Sequence, residues 1–145
     1  MKTPYDGALR VRQREIDRIG AAIGDENGRL GALEAAQRHA DAAAAAEVRL
    51  ASADPMLSTH AYLARMRLIR ERIEQDRATS AARLDALRDQ ATDAFGGLRA
   101  MQSAADSYKA EQARVAAVAE QALADDISTA ALLRARRGAA REQSA

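Results

Sequence analysis

Hydrophobic residues recur along this chain in steps of three and four, and charged residues flank them. Leu9, Ile16, Ile23 and Leu30 lie seven residues apart in the N-terminal part. Sustained heptads with charged flanks are typical of coiled-coil helices. A change of phase between residues 69 and 84 predicts a stutter in the second half. The apolar positions of that half are Ile73, Leu84, Leu87, Ala91, Ala94, Leu98, Met101, Ala105 and Tyr108.

Two prolines and one glycine punctuate this pattern. Thr3 and Asp54 each precede a proline, and each can cap a helix whose first turn tolerates proline. Asp6 follows Thr3 at the distance from which an acidic side chain can return a hydrogen bond. Gly138 follows a run of arginines that suits the C-terminal end of a helix. We therefore predict helices over about 4–52 and 55–137, a turn at 53–54 and a loose tail over 138–145.

Folding the chain back at this turn places residues opposite each other when their numbers add up to about 107. This register pairs Leu9 with Leu98, Ile23 with Leu84, and Leu50 with Leu57. One residue away from it, Ile19 faces Leu87, Leu33 faces Ile73, and Ala40 faces Met66. We predict an all-α fold, an antiparallel two-helix coiled-coil hairpin in a single domain, with a longer, projecting second helix.

Glycines stand out at two places. Gly20, Gly24 and Gly28 share one helix face, where they predict close approach of the two backbones or, alternatively, local flexibility. The pair at 96–97 lies opposite the start of helix one. It predicts either a hinge for the projecting part or only a weaker helix, at a cost of about 1 kcal/mol per glycine relative to alanine.

The composition excludes several classes of function. More than half of the hydrophobic 48% is alanine and aromatic residues make up only 3%, a mixture typical of long helices. There is no cysteine, the only histidines are not opposite each other, and no phosphate-binding loop is present. We expect no enzyme, no cofactor and no metal site. With a net charge of +1, no apolar export signal and no membrane-length apolar run, we expect a cytoplasmic protein.

Three surfaces are candidates for contact with other proteins. Arg10, Arg14 and Arg18 form a basic stripe, and the second basic group is Arg134, Arg136, Arg137 and Arg141. Both groups suit an acidic protein surface, although a solvated charged face is the alternative. The third surface surrounds the turn. There are more apolar side chains here than the seam, the line of contact between the two helices, can bury. Its members are Val48, Leu57, Tyr62, Leu63, Met66, Leu68 and Ile69.

The projecting part of helix two has no predicted partner within the chain. An isolated helix depends mainly on packing for its stability. We therefore expect this part to fray or to enter a narrow protein channel. Its large side chains are Tyr108, Val115, Val118, Leu123, Ile127, Leu132 and Leu133.

The arrangement resembles the flagellar export protein FliJ family and its injectisome counterparts. The segment "ALRVRQREIDRI" is similar to the family's opening helix, and "LADDISTAALLRARR" is similar to its closing acidic-then-basic segment. The resemblance implies a stalk-like part of the type III export apparatus at the flagellar basal body. It also implies two partners, the hexameric export ATPase and the cytoplasmic domain of the export gate membrane protein, with export chaperones as further partners of some members.

The resemblance also implies which surface each partner would contact. The export gate would contact Val48, Tyr62, Met66 and Ile69. The ATPase ring would contact Arg10, Arg14, Arg18, Tyr108, Val115, Val118, Leu123, Ile127, Arg134, Arg136 and Arg137.

Two other kinds of protein share parts of this pattern. A coiled-coil scaffold or chaperone of an unrelated pathway would self-associate, for example through the projecting helix, whereas the FliJ-like interpretation predicts a monomer when free. A nucleic-acid-binding protein would bind through its arginines in a strongly salt-dependent way. We expect no nucleic acid as a partner, because no aromatic side chains interleave the arginines.

Overall fold

The computed structural model describes residues 2–56 and 58–143. These residues form two helices, α1 over Asp6–Ala53 and α2 over His60–Gln143, and no strand. The helices contain 48 and 84 residues and pack against each other. The predicted all-α hairpin with a longer second helix is therefore confirmed.

The chain divides into two compact units. One unit combines Met1–Leu9 with Arg99–Ala145, and the other is Arg10–Leu98. Within Arg10–Leu98 the two helices run antiparallel, because contacts between them pair rising residue numbers in α1 with falling numbers in α2. These contacts join Glu26 to Ser80, Gln37 to Arg77, and Asp41 to Arg70.

The predicted return bond from Asp6 to Thr3 forms, but the Thr3 hydroxyl does not accept a helix N–H. The Thr3 N–H donates to Asp6 Oδ2 at 3.2 Å, and the Thr3 hydroxyl donates to Asp6 Oδ1. The Asp6 N–H donates in turn to the Thr3 carbonyl at 3.2 Å. These bonds occupy backbone groups that the first turn of a helix would leave unpaired. The helix itself begins at Asp6, two residues later than predicted.

The turn is longer than predicted, and the expected start of helix two at Pro55 is wrong. Asp54 Oδ1 accepts a hydrogen bond of 3.0 Å from the Met56 N–H, which closes a local turn instead of opening a helix. The first bond of α2 runs from the Leu63 N–H to the Thr59 carbonyl, at 2.9 Å. The predicted pairing of Leu50 with Leu57 lies outside the described residues, because Leu57 is not among them.

The predicted end of helix two at residue 137 is also wrong. α2 continues through Gly138 to Gln143, and no described glycine has a positive φ. A glycine ends a helix when the chain turns there in the left-handed conformation. Here strong helix formers follow Gly138, and they offset its cost of about 1 kcal/mol. The loose tail predicted over 138–145 is therefore helical as far as Gln143.

The buried residues of α2 keep to the predicted spacing of three, four and seven residues. Ile73, Leu84, Ala94, Leu98 and Ala105 are buried as the pattern predicts. Ser80 is also buried and holds the heptad position between Ile73 and Leu87, so a search for apolar positions missed one residue of the seam. The spacing of Ile69 from Leu84 still departs from the repeat by one residue, and the stutter stays a prediction.

The glycines of α1 do not bring the helices close together. A Cβ atom added at Gly20, Gly24 or Gly28 would meet no atom within 4 Å. All three residues are exposed, so the predicted close backbone approach is wrong. The seam of α1 runs along another face, on which Ile16, Glu26 and Ala40 are buried.

Candidate interaction surfaces

The C-terminal part of α2 is almost uncovered by the other residues that the structure describes. Residues 109–142, which we call the distal segment, are all exposed except half-buried Ala130. Its large apolar side chains are 50–63% exposed. They are Val115, Val118, Leu123, Ile127, Leu132 and Leu133.

These apolar side chains do not form a single stripe. At roughly 100° per residue they cover an arc of roughly 220° of the helix circumference, from Leu132 through Val115 to Ile127. A helix that packs on one flat surface needs an apolar arc of only about 100°. The distal segment is therefore better suited to a partner that surrounds it than to one that covers one face.

Charge changes sign along the distal segment. Residues 109–126 carry the acidic side chains of Glu111, Glu120, Asp125 and Asp126 against the basic ones of Lys109 and Arg114. The last turns carry Arg134, Arg136, Arg137 and Arg141 against Glu142. None of these four arginines forms an ion pair within the described part of the chain. They therefore retain their full capacity to contact an acidic partner.

One ion pair in the distal segment is well aligned. Arg114 Nε and Nη2 donate to the two carboxylate oxygens of Glu111 at 3.0 and 2.8 Å. This bidentate contact lowers the pKa of Glu111 below its usual value of 4.5 and raises the pKa of Arg114. Both groups are fully exposed, so the pair orders the helix surface locally and contributes little to stability.

Tyr108 differs from the other residues assigned to the ATPase ring. Its ring lies 6.4 Å from the ring of Tyr5 in an edge-to-face arrangement, and the side chain is half-buried. The expectation that Tyr108 has no partner within the chain is therefore wrong. The unpartnered part of α2 begins after Tyr108, because the N-terminal end of the chain covers this residue.

The basic stripe lies on the exposed face of α1. Arg10, Arg14 and Arg18 are all exposed, and none forms an ion pair with a described residue. The carboxylate of Glu15 lies between them in sequence but pairs with Arg12 at 2.8 Å. Like charges four residues apart on a helix repel each other, and an acidic partner would reduce this repulsion.

The residues assigned to the export gate are divided between two grooves. One groove, of about 330 Å³, is lined by Tyr62, Met66 and Ile69 together with His39 and the methyl groups of α1 alanines. Val48 lines a different groove of about 380 Å³, again with Met66. Both grooves exist because alanines of α1 face large side chains of α2. The structure therefore brings Tyr62, Met66 and Ile69 together and leaves Val48 in another groove.

Polar contacts between the helices were missed in the sequence. Arg77 donates to Gln37 Oε1 at 2.8 Å, and Arg70 Nε lies 2.8 Å from Asp41 Oδ1 in an ion pair. The most buried contact is between Ser80 and Glu26, which are 1% and 8% exposed. A signal for it was present, since Glu26 lies seven residues from both Ile19 and Leu33.

Comparisons with known proteins found no match to this chain. No family model, no curated protein and no solved structure matches it. Among residues 2–56 and 58–143, no group of three or more metal-binding side chains comes together. Neither described helix contains a stretch that is long and apolar enough to cross a membrane.

Proposed function

We propose that this chain is a non-enzymatic, stalk-like component of the flagellar type III protein export apparatus. In this role it links the ring of the export ATPase to the export gate. It would act in the cytoplasm, at the periphery of the basal body, and the export chaperones are further candidate partners. The proposal rests on the resemblance of the two terminal segments to the FliJ family and on the surfaces described above.

The observation that carries the proposal is the uncovered distal segment. It combines a regular helix with apolar side chains over more than half of its circumference. A ring of subunits provides the surrounding surface that such a helix requires. Desolvation of these side chains inside the ring would supply the affinity, at about 25 cal/mol per Å² of apolar surface buried.

The grooves near the turn suit the second partner. Tyr62, Met66 and Ile69 provide an aromatic ring, a flexible thioether and a branched side chain in one apolar groove. Such side chains adapt well to a protein surface. We assign this groove to the export gate and treat Val48 as part of a separate contact.

Binding of the full chain to the purified hexameric export ATPase of the same organism tests the proposal. We expect Val118→Asp to weaken this binding by more than about tenfold, because it would place a charge in a desolvated contact. Val48→Asp is the matched control, since Val48 is also exposed in a helix but lies near the turn. The proposal fails if the unmodified chain does not bind the ring, or if both variants weaken the binding equally.

A self-associating scaffold is the second candidate function. The same exposed side chains favour it, since a second copy could cover Leu123 and Ile127. Light scattering over a range of concentrations distinguishes the two candidates. The stalk predicts the mass of one chain throughout, whereas the scaffold predicts a mass that rises with concentration and falls again in Ile127→Asp.

A further inference from the structure

The bond between Glu26 and Ser80 lies within a ladder of opposed heptad positions. It identifies the register of the two helices in Arg10–Leu98. Steps of seven residues in opposite directions then give the other rungs of the same ladder. These rungs are Ile19 with Leu87, Leu33 with Ile73, and Ala40 with Met66.

This rung is the only polar one of the four, and it lies deeper than its neighbours Ile19 and Leu33. Ser80 is 1% exposed and Glu26 is 8% exposed. A buried carboxylate destabilises a fold unless hydrogen bonds or charges satisfy it. Here Oε1 accepts the Ser80 hydroxyl, and Oε2 lies 3.9 Å from an exposed guanidinium, that of Arg29. The buried polar pair therefore costs little stability, because each residue supplies the hydrogen-bond partner of the other.

A shift of one heptad would separate the pair. It would place Glu26 beside Ile73 or Leu87, depending on the direction of the shift. Ser80 would then face Ile19 or Leu33. All four new neighbours are aliphatic, so neither the carboxylate nor the hydroxyl would find a partner in the seam.

The apolar positions of the seam resist such a shift poorly. A heptad shift keeps apolar residues opposite apolar residues, so the hydrophobic pattern does not prevent it. Near the turn, α1 contains the alanine run 42–46, whose small side chains impose little shape on the opposing helix. We propose that Glu26 and Ser80 form a register lock, which holds the helices of Arg10–Leu98 at one axial position by penalising every other heptad register.

Disulfide trapping in the full chain tests the lock, because the natural chain has no cysteine. The cysteine pair Leu33→Cys with Ile73→Cys reports the observed register. The pairs Leu33→Cys with Met66→Cys and Ala40→Cys with Ile73→Cys report shifts of one heptad in the two directions. Each pair is oxidised in the natural background and in an unlocked background that carries Glu26→Leu with Ser80→Ala.

In the natural background we expect only the first pair to cross-link efficiently. In the unlocked background at least one shifted pair should cross-link about tenfold faster, while circular dichroism shows an equally helical chain that melts no earlier. Glu34→Leu with Ser103→Ala is the matched control, because it makes the same substitutions at exposed positions. It should leave the cross-linking pattern unchanged.

Two outcomes would overturn the inference. In the first, the unlocked chain cross-links only in the observed register, so that the pair contributes stability without selecting a register. In the second, the natural chain already cross-links in a shifted register at a comparable rate. Glu26→Gln, whose side-chain oxygen can still accept the Ser80 hydroxyl, should retain the natural pattern. Glu26→Ala with Ser80→Ala repeats the test if the leucine variant does not fold.

Discussion

Truncation of one seam leucine tests the division of α2 into a packed part and an uncovered part. Leu84 is 5% exposed, so Leu84→Ala removes three carbon atoms from an almost fully buried site. At about 0.8 kcal/mol per buried methylene the lost transfer free energy is about 2 kcal/mol. A residual cavity would add to this value, but two helices can close around it more easily than a larger core. We expect Leu84→Ala to lower the free energy of unfolding by about 2–3 kcal/mol.

Leu123→Ala is the matched control. It is the same substitution in the same helix, so the small change in helix propensity cancels between the two variants. Leu123 is 62% exposed and has little packing to lose. We expect its free energy of unfolding to change by less than about 0.5 kcal/mol, as for an ordinary surface substitution.

Urea denaturation followed by circular dichroism measures both variants. The midpoint should fall clearly for Leu84→Ala and stay nearly constant for Leu123→Ala, with similar slopes for both. Equal destabilisation by the two variants would refute the reasoning, because the distal segment would then be packed in the free chain. A neutral Leu84→Ala would refute the seam itself.

Three further predictions concern single residues. Gly24→Ala should raise the free energy of unfolding by about 1 kcal/mol, since the added methyl group meets open space; a lower value than in the natural chain would reveal a hidden close approach. Tyr5→Ala should remove a contact worth about 1 kcal/mol beyond burial and speed amide exchange at the start of α1 and around Tyr108, whereas unchanged exchange would contradict the ring contact. Arg114→Gln should return the lowered pKa of Glu111 towards 4.5 in a carboxyl NMR titration, and an unchanged titration would exclude the hydrogen bond as the cause. In the natural chain the contribution of this ion pair to stability is complete above pH 4.5 and is lost as the pH falls through the lowered pKa of Glu111.

The sequence predicts the helices well because long heptads and an N-terminal cap are local signals. Thr3 and Asp6 lie three residues apart, so their contact needs no knowledge of the rest of the chain. The turn was predicted less well, because Asp54 can cap a helix or close a turn with the same carboxylate. The choice depends on where α2 can pack, which the local sequence does not contain.

The interaction surfaces were predictable only in part. Exposure of the distal segment follows from the unequal lengths of the helices, which the heptads reveal. The contact of Tyr108 with Tyr5 depends on how far the N-terminal end reaches along α2, a detail of one or two residues. Val48 lines a different groove from Tyr62 and Ile69, because its side chain lies on the other side of the seam. A small error in helix phase is enough to move a residue from one groove to the other.

The lack of cover over the distal segment has a consequence for how this chain evolves. In Arg10–Leu98 a substitution in the seam changes the stability of the fold before it changes binding to any partner. Natural selection there acts first on folding. From residue 109 to 142 nearly every side chain is exposed, and most substitutions leave the free chain intact. Positions of the distal segment at which related chains resist change would therefore record the partner's surface and not the chain's own fold. The sequence of the N-terminal part of α2 is therefore constrained by folding, and that of its C-terminal part is constrained by binding to a partner.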